Sequence, residues 1–248
     1  MSIAENIARI RERIAAAAAR AGRNPAEIAL MAVSKTVPAD RIREAFEAGQ
    51  RLFGENRVQE FQAKHLELSA ASPTVASAAV CNVFDIEAAE FHLIGHLQSN
   101  KAAKAAELFQ AVDSVDSLRL AERLDAAAAK LGKTLRVLVE VNVGGEQAKS
   151  GLVPESGELL ELLQAAPRLK HLEFRGVMTI PPFTDDPEGA RPFFRRVRQL
   201  RDRLTATAGI ALPELSMGMS HDFEIAVEEG STCVRVGTAI FGTRAGYP

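Results

Sequence analysis

The sequence has few cysteines, almost no net charge, a single tyrosine, no tryptophan and no long apolar run. Its 248 residues contain two cysteines, and Cys81 and Cys233 stand in neither a CxxC nor a metal-ligand spacing. This argues against structural zinc and a disulfide framework and predicts a reducing, cytoplasmic location. The formal net charge is −2, which disfavours nucleic acid as a partner. Without a run of roughly 20 apolar residues, we expect no membrane span either.

The apolar residues predict a regular alternation of helices and strands. Four isoleucines between residues 3 and 14 recur at helical spacing, so residues 1–20 are predicted to form an amphipathic helix packing on the fold, not a secretory signal. Beyond it, short apolar runs alternate with helix-compatible segments, as in a parallel sheet with crossover helices. The predicted strands are Ile28–Lys35, Arg51–Gly54, Glu90–Gly95, Leu108–Val112, Arg136–Val143, Leu172–Ile180, Glu214–Met219 and Cys233–Phe241. Eight such units in about 250 residues are typical of a single α/β (β/α)8 TIM barrel, although an open doubly wound sheet produces the same local pattern.

The chain is predicted to be one domain over residues 1–248, because no composition break or Pro/Gly/Ser-rich linker divides it. Residues 66–87 lack a clear period and are rich in Ala and Ser. We interpret them as an insertion before the third strand, with a short extra strand around Val80–Phe84. In a barrel, such a connection lies on the face opposite the active site, so we expect it to lie away from the functional residues.

Lys35 is the first candidate functional residue. Functional side chains of a barrel lie at the carboxyl ends of the strands, and Lys35 ends the first apolar run, in AVSK. A low-dielectric barrel mouth favours the neutral amine, which attacks an aldehyde to form a Schiff base. The alternative is a lysine that merely extends its charged end into water. Lys149, after the fifth strand, is the second candidate amine.

The loops after the last two strands, SMGMS and VRVGT, form a candidate phosphate site. Barrels often bind phosphate in these two loops. Gly218 and Gly237 allow the backbone to approach an anion, and Ser220 and Thr238 offer hydroxyl donors. These segments therefore predict a phosphorylated ligand, with ordinary turn geometry as the alternative interpretation.

Arg235 lies inside an otherwise apolar strand. Its side chain points opposite to those of Val234 and Val236, and a buried guanidinium needs an acceptor. The ring nitrogen of a ligand is one such acceptor. A carboxylate near a strand end, Glu55 or Glu140, is another, and the sequence leaves both open.

Seven segments in order along the chain carry a family resemblance. They are AVSKTVP, FGENRVQE, FHLIGHLQSNK, VNVGGEQAKSG, RGVMTI, SMGMSHDFEIAVEEGST and VRVGTAIFGTR. They closely resemble the pyridoxal phosphate homeostasis proteins, a family similar in fold to the N-terminal barrel of alanine racemase, fold type III of the proteins that bind pyridoxal 5′-phosphate (PLP). The resemblance implies that barrel, here without the C-terminal β domain of the racemase.

The resemblance also implies a cofactor and its site. PLP is expected to be bound covalently as a Schiff base on Lys35, with Arg235 facing the pyridine nitrogen. Ser220, Gly237 and Thr238 are then expected to hold the phosphate. The predicted cofactor-binding residues are Lys35, Asn56, His96, Met219, Ser220, Arg235, Gly237 and Thr238. The chain departs from the family pattern at His221, where an acidic or small polar residue is expected, and in the length of residues 66–87.

The same reasoning favours a carrier over an enzyme. An arginine keeps its proton, so opposite the pyridine nitrogen it leaves that nitrogen unprotonated and the ring a poor electron sink. A racemase also needs a second acid or base, and the single tyrosine, Tyr247, lies beside the end of the sequence. We therefore predict a non-catalytic protein of intracellular PLP (vitamin B6) homeostasis, and the family resemblance implies a monomer. Its partners would be PLP and PLP-dependent apoenzymes, with no catalytic residue and no metal ligand assigned.

Two enzymatic functions are the alternatives to this prediction. The first is a small PLP-dependent amino-acid racemase with His96 or another residue of the barrel mouth as its base. The second is a Schiff-base aldolase on a phosphosugar, in which Lys35 and the phosphate loops serve a substrate instead of a cofactor.

Overall fold

The computed structural model describes residues 1–70, 85–146 and 150–242. Most of the predicted insertion over 66–87 lies outside these ranges, as does the predicted extra strand Val80–Phe84. Cys81, Lys149 and Tyr247 also lie outside them. That the chain is a single domain stays a prediction.

Eight parallel strands of the described residues close into a barrel. They are β1 Ala29–Val33, β2 Leu52–Glu55, β3 Glu90–Leu93, β4 Ala111–Val115, β5 Leu135–Glu140, β6 Leu172–Met178, β7 Glu214–Ser216 and β8 Cys233–Val236. Each strand pairs with the next in sequence order, and β8 pairs with β1. This confirms the predicted (β/α)8 barrel over the open sheet, because an open sheet leaves two edge strands unpaired.

Helices surround the barrel. They are α1 Ile3–Arg20, α2 Ala39–Glu47, α3 Val58–Ser69, α4 Ala102–Leu108, α5 Leu118–Lys130, α6 Gly157–Ala165, α7 Arg191–Ala208, α8 Phe223–Glu228 and α9 Thr238–Phe241. The extra helix α1 buries its isoleucine face and contacts α2, α8 and α9, so it spans the seam where β1 meets β8. Among the described helices, none combines the length and apolar character needed to cross a bilayer.

Several predicted strand boundaries were wrong; the fifth strand, for example, ends at Glu140 and not at Val143. The fourth strand begins at Ala111, not Leu108, because Leu108 ends a helix. The last strand ends at Val236, and the apolar run after Gly237 forms helix α9. The seventh strand ends at Ser216 instead of continuing through Met219. Short apolar runs do not distinguish strand from helix by periodicity alone, which accounts for the errors at Leu108 and after Gly237.

Strand alternation brings Lys35 to the barrel mouth. Met31 and Val33 lie on the same face of β1 and form an apolar cluster with Ile94, separate from the main core between barrel and helices. Lys35 follows two residues later, just beyond the end of the strand. Val33 and Ile94 also line the cavity described next, so this cluster is its apolar floor.

Candidate functional site

A cavity of about 640 Å³ opens at the carboxyl ends of the strands. All eight residues predicted to bind the cofactor line it, namely Lys35, Asn56, His96, Met219, Ser220, Arg235, Gly237 and Thr238. They come from the ends of β1, β2, β3, β7 and β8, so only barrel closure brings them together. Their convergence is observed, while their binding roles stay predictions.

The backbone on both sides of Lys35 is held by the third helix. Lys64 of α3 is buried and its Nζ donates to the carbonyl oxygen of Ser34 at 2.7 Å. The same amine contacts the carboxylate of Glu60 at 2.8 Å. Glu60 in turn accepts a hydrogen bond from the backbone N–H of Thr36, which has a φ of 60°. Lys64 and Glu60 therefore hold the residues before and after Lys35.

Glu55 completes this network. It is fully buried, and its Oε1 accepts from the hydroxyl of Ser34 at 2.7 Å and from Lys64 at 2.9 Å. Burial raises the pKa of Glu55, although Lys64 and Ser34 act to lower it. Burial also acts to raise the pKa of Glu60, but the hydrogen bonds from Lys64 and Thr36, together with the positive charges of Lys64 and Arg57, outweigh it and lower that pKa.

Arg235 finds acceptors other than the predicted carboxylates. It is 3% exposed, and its guanidinium donates to Ser216 Oγ and to the carbonyl oxygen of Thr179, each at 2.7 Å. Glu55 is occupied by Lys64, so the interpretation of Glu55 as the arginine's partner was wrong. Glu140 acts on Arg235 only through space. Burial lowers the pKa of Arg235, and neutral acceptors at the ends of β6 and β7 fix the orientation of its planar group.

The glycine of the SMGMS loop has a different role from the one predicted. Gly218 does not line the cavity but adopts a φ of 94°. A Cβ there would lie 2.5 Å from Ala226 Cβ, so the loop packs directly against α8. Its carbonyl oxygen accepts from the backbone N–H of Arg235 at 2.9 Å. Gly237 does line the cavity, and a Cβ there would approach the backbone oxygen of Val33 to 3.3 Å.

The two histidines of the mouth make different contacts. His96 is 56% exposed at its side chain, and its Nδ1 lies 3.0 Å from Asp116 Oδ2. His221 Nε2 lies 3.1 and 3.2 Å from the carbonyl oxygens of Thr184 and Asp185. Because carbonyl oxygens only accept, that nitrogen of His221 carries a proton. The histidine therefore ties the SMGMS loop to the loop after β6.

Sequence reasoning missed Glu140 as a residue of the cavity. Glu140 lines the cavity, is 5% exposed, and its Oε1 accepts from Ser150 Oγ at 2.8 Å. Its Oε2 is buried and has no hydrogen-bond partner within the described ranges. Burial raises the pKa of Glu140, and the neighbouring Asp116 adds to this. A carboxylate closing the apolar run VLVE was the available signal, but we interpreted it only as a partner for Arg235.

Comparisons with known proteins agree with this architecture. The family model described as the N-terminal domain of alanine racemase matches residues 5–245. A pyridoxal phosphate homeostasis protein of Aquifex aeolicus is 43% identical over 98% of this chain and 99% of its own length. Its counterpart in Escherichia coli K12 is also 43% identical, over 98% and 97%.

Solved structures give the same result. PipY of Synechococcus elongatus PCC7942, solved with PLP bound, has a TM-score of 0.80 and 39% identity over 97% of this chain and 100% of that one. An alanine racemase of Clostridium difficile has a TM-score of 0.66 over 98% of this chain and 57% of that one. At 15% identity, the racemase shows similarity of fold alone.

Proposed function

The chain belongs to the pyridoxal phosphate homeostasis protein family, whose fold is that of the alanine racemase N-terminal domain, and from this membership we propose that it binds PLP at the barrel mouth as a Schiff base on Lys35. The observation that carries the proposal is the convergence of an amine, a buried guanidinium and two hydroxyl-bearing loops on one cavity. A relative with 39% identity has PLP bound.

The cavity residues fit this cofactor. The cavity, at about 640 Å³, lies within the roughly 300–1,000 Å³ range of small-molecule sites. Lys35 provides the amine, Ser220 and Thr238 provide hydroxyl donors for a phosphate, and the absence of a side chain at Gly237 leaves room beside β1. When bound, PLP supplies an aldehyde that condenses with a primary amine.

The residues of the cavity favour carrying over turnover. Arg235 keeps its proton, and its guanidinium group is oriented by its hydrogen bonds to Ser216 and Thr179. The guanidinium would therefore act as a hydrogen-bond donor opposite the ring nitrogen. A donor at that position leaves the nitrogen unprotonated, which limits electron withdrawal by the ring. We therefore infer that the protein stores PLP or delivers it to apoenzymes, without turnover of its own. A monomeric state and a cytoplasmic location stay predictions.

One observation favours a racemase as the second candidate function. His96 pairs with Asp116 at the edge of the cavity, and a histidine oriented by a carboxylate is a common general base. Solvent deuterium entering the α-carbon of an amino acid at a catalytic rate would support the racemase. No incorporation is the outcome we expect.

The attachment residue is tested by loading the protein with PLP, reducing it with borohydride and mapping the adduct by mass spectrometry. We expect a visible absorption band that borohydride removes, with the adduct on Lys35. Lys35→Ala should lose the band, whereas Lys104→Ala, which removes an exposed lysine paired with Glu107, should keep it.

A Lys35→Ala protein that is equally coloured and loaded would overturn the proposal. An adduct on Lys149 would move the site to the second candidate amine. A protein that stays colourless while borohydride traps a phosphosugar would support the aldolase.

A further inference from the structure

Glu140 has one carboxyl oxygen whose hydrogen-bonding capacity is unused. Oε1 accepts from Ser150, but Oε2 is buried without a partner in the described part of the chain. Buried polar atoms almost always have partners, so each exception needs an explanation. Because Glu140 lines the cavity, a ligand in the cavity is the partner that best explains this oxygen.

The surroundings of Glu140 disfavour a charged carboxylate. Arg235, a cation of the barrel mouth, directs its described hydrogen bonds to Ser216 and Thr179 instead. Asp116 adds negative charge nearby and opposes ionisation, while His96, Arg235 and the hydroxyl of Ser150 favour it. A buried carboxyl without a hydrogen-bonded cation normally holds its proton. Burial is the dominant influence here, and it raises the pKa of Glu140.

We propose that Glu140 is a ligand-binding residue that enters the cavity as a neutral carboxylic acid, accepting from Ser150 through Oε1 and donating its proton through Oε2 to the ligand. A protonated carboxyl has one O–H donor, and Oε2 is the oxygen that lacks a partner. Glu140 would thus resemble a glutamine in its hydrogen bonding.

The proposed function identifies the acceptor, and this part of the inference rests on it. PLP loses its aldehyde oxygen as water when the Schiff base on Lys35 forms, and the acceptors that remain on the phosphate and the ring are the phosphate, the ring nitrogen and the phenolic oxygen. The proposed arrangement assigns the phosphate to Ser220 and Thr238 and the ring nitrogen to Arg235. The phenolic oxygen is left, and we assign it to Glu140.

Two near-isosteric variants test the proposal, with PLP affinity and the position of the visible band as readouts. Glu140→Gln keeps an acceptor for Ser150 and a donor for the ligand, so affinity should stay within about threefold of wild type and the band should not move. Glu140→Leu removes both, so affinity should fall roughly tenfold or more and the band should shift. If Gln weakens binding as much as Leu, the carboxyl is ionised and the proposal is overturned. Unchanged affinity in both variants also overturns it.

A measurement without PLP covers the case in which Glu140→Leu fails to fold. The infrared spectrum of the apoprotein minus that of Glu140→Gln should contain the carbonyl band of a protonated carboxylic acid. A difference spectrum with only carboxylate bands would contradict the proposal. Wild-type protein that shows this band but does not load PLP would instead refute the proposed function and leave the protonation state of Glu140 established.

Discussion

Gly218 illustrates how a single residue shapes the cavity without lining it. Its φ of 94° is a conformation that side-chain-bearing residues rarely adopt. The carbonyl oxygen of Gly218 also accepts a hydrogen bond from the backbone N–H of Arg235. The next residue, Met219, donates its backbone N–H to Asp222 Oδ1 at 2.7 Å at the start of α8. The loop therefore depends on close contact with α8 as much as on its own turn geometry.

We expect Gly218→Ala to lower the free energy of unfolding well beyond the conformational cost of a positive φ, which is roughly 1–2 kcal/mol. The added Cβ would lie 2.5 Å from Ala226 Cβ and 3.0 Å from Phe223 Cα. Gly132→Ala is the control, because Gly132 has a φ of 64° with nothing within 4 Å of the added carbon. Chemical denaturation of both variants measures the difference. Equal losses would mean that packing against α8 contributes nothing.

The third helix links two strand ends that are adjacent in the barrel. Lys64 contacts Ser34 after β1, Glu55 at the end of β2, and Glu60 one turn earlier on its own helix. A buried ion pair adds little net stability over an apolar pair, but removal of one partner leaves a buried charge. The described contacts of Lys64 therefore orient the end of β1 more than they strengthen the core.

Lys64→Met should lower the free energy of unfolding by about 3–5 kcal/mol near neutral pH, because Glu55 is left buried without its cation. The double variant Lys64→Met, Glu55→Gln should recover part of this loss, since no charge is stranded. If the double variant is as unstable as the single one, the loss comes from packing and not from the charge.

The loss in Lys64→Met should also depend on pH. Burial already raises the pKa of Glu55 above 4.5, and without Lys64 that pKa rises further. The folded state then binds a proton more tightly than the unfolded state, so stability falls as the pH rises from about 4.5 through the folded pKa. Denaturation titrations at several pH values should show the smallest loss at the acidic end. A loss that is constant with pH would contradict this assignment.

Strand alternation and helix period predicted the barrel elements well, but not the contacts that brace them. The run AVSK placed Lys35 at a strand end from its pattern alone. The role of Lys64 could not be predicted in this way, because a lysine on a helix is normally exposed. Its burial depends on the packing of α3 over two strand ends.

The closed barrel depends on the seam between β1 and β8, where residues from both ends of the described chain meet. Four buried isoleucines of α1 cover this seam. Arg13 pairs with Glu224 of α8 at 2.9 Å, and Asn6 Nδ2 donates to the carbonyl oxygen of Ile240 in α9 at 2.9 Å. Lys35 and Arg235 lie on opposite sides of the seam, so closure of the barrel also assembles the cavity.

Ile10→Ala should destabilise the protein by about 2–5 kcal/mol, because Ile10 is fully buried and its truncation leaves a cavity under α1. Leu66→Ala is the control: Leu66 is 68% exposed, and its loss should change stability by no more than about 0.5 kcal/mol. Thermal unfolding followed by far-UV circular dichroism and by PLP absorption should give coincident transitions. If Ile10→Ala loses its PLP absorption at a lower temperature than its helical signal, the β1–β8 seam opens before the rest of the barrel unfolds.

The order of strands and helices follows from the sequence, because periodicity and strand ends are local properties of the chain. The local pattern did not separate a closed barrel from an open sheet, and the family resemblance supplied the full set of eight predicted cavity residues. The burial of Lys64, the acceptors of Arg235, the packing of Gly218 and the unpartnered oxygen of Glu140 were decided only by the tertiary structure. Each of these depends on which groups from distant segments come within hydrogen-bonding or van der Waals distance. That proximity is produced by closure of the barrel and is absent from any local pattern.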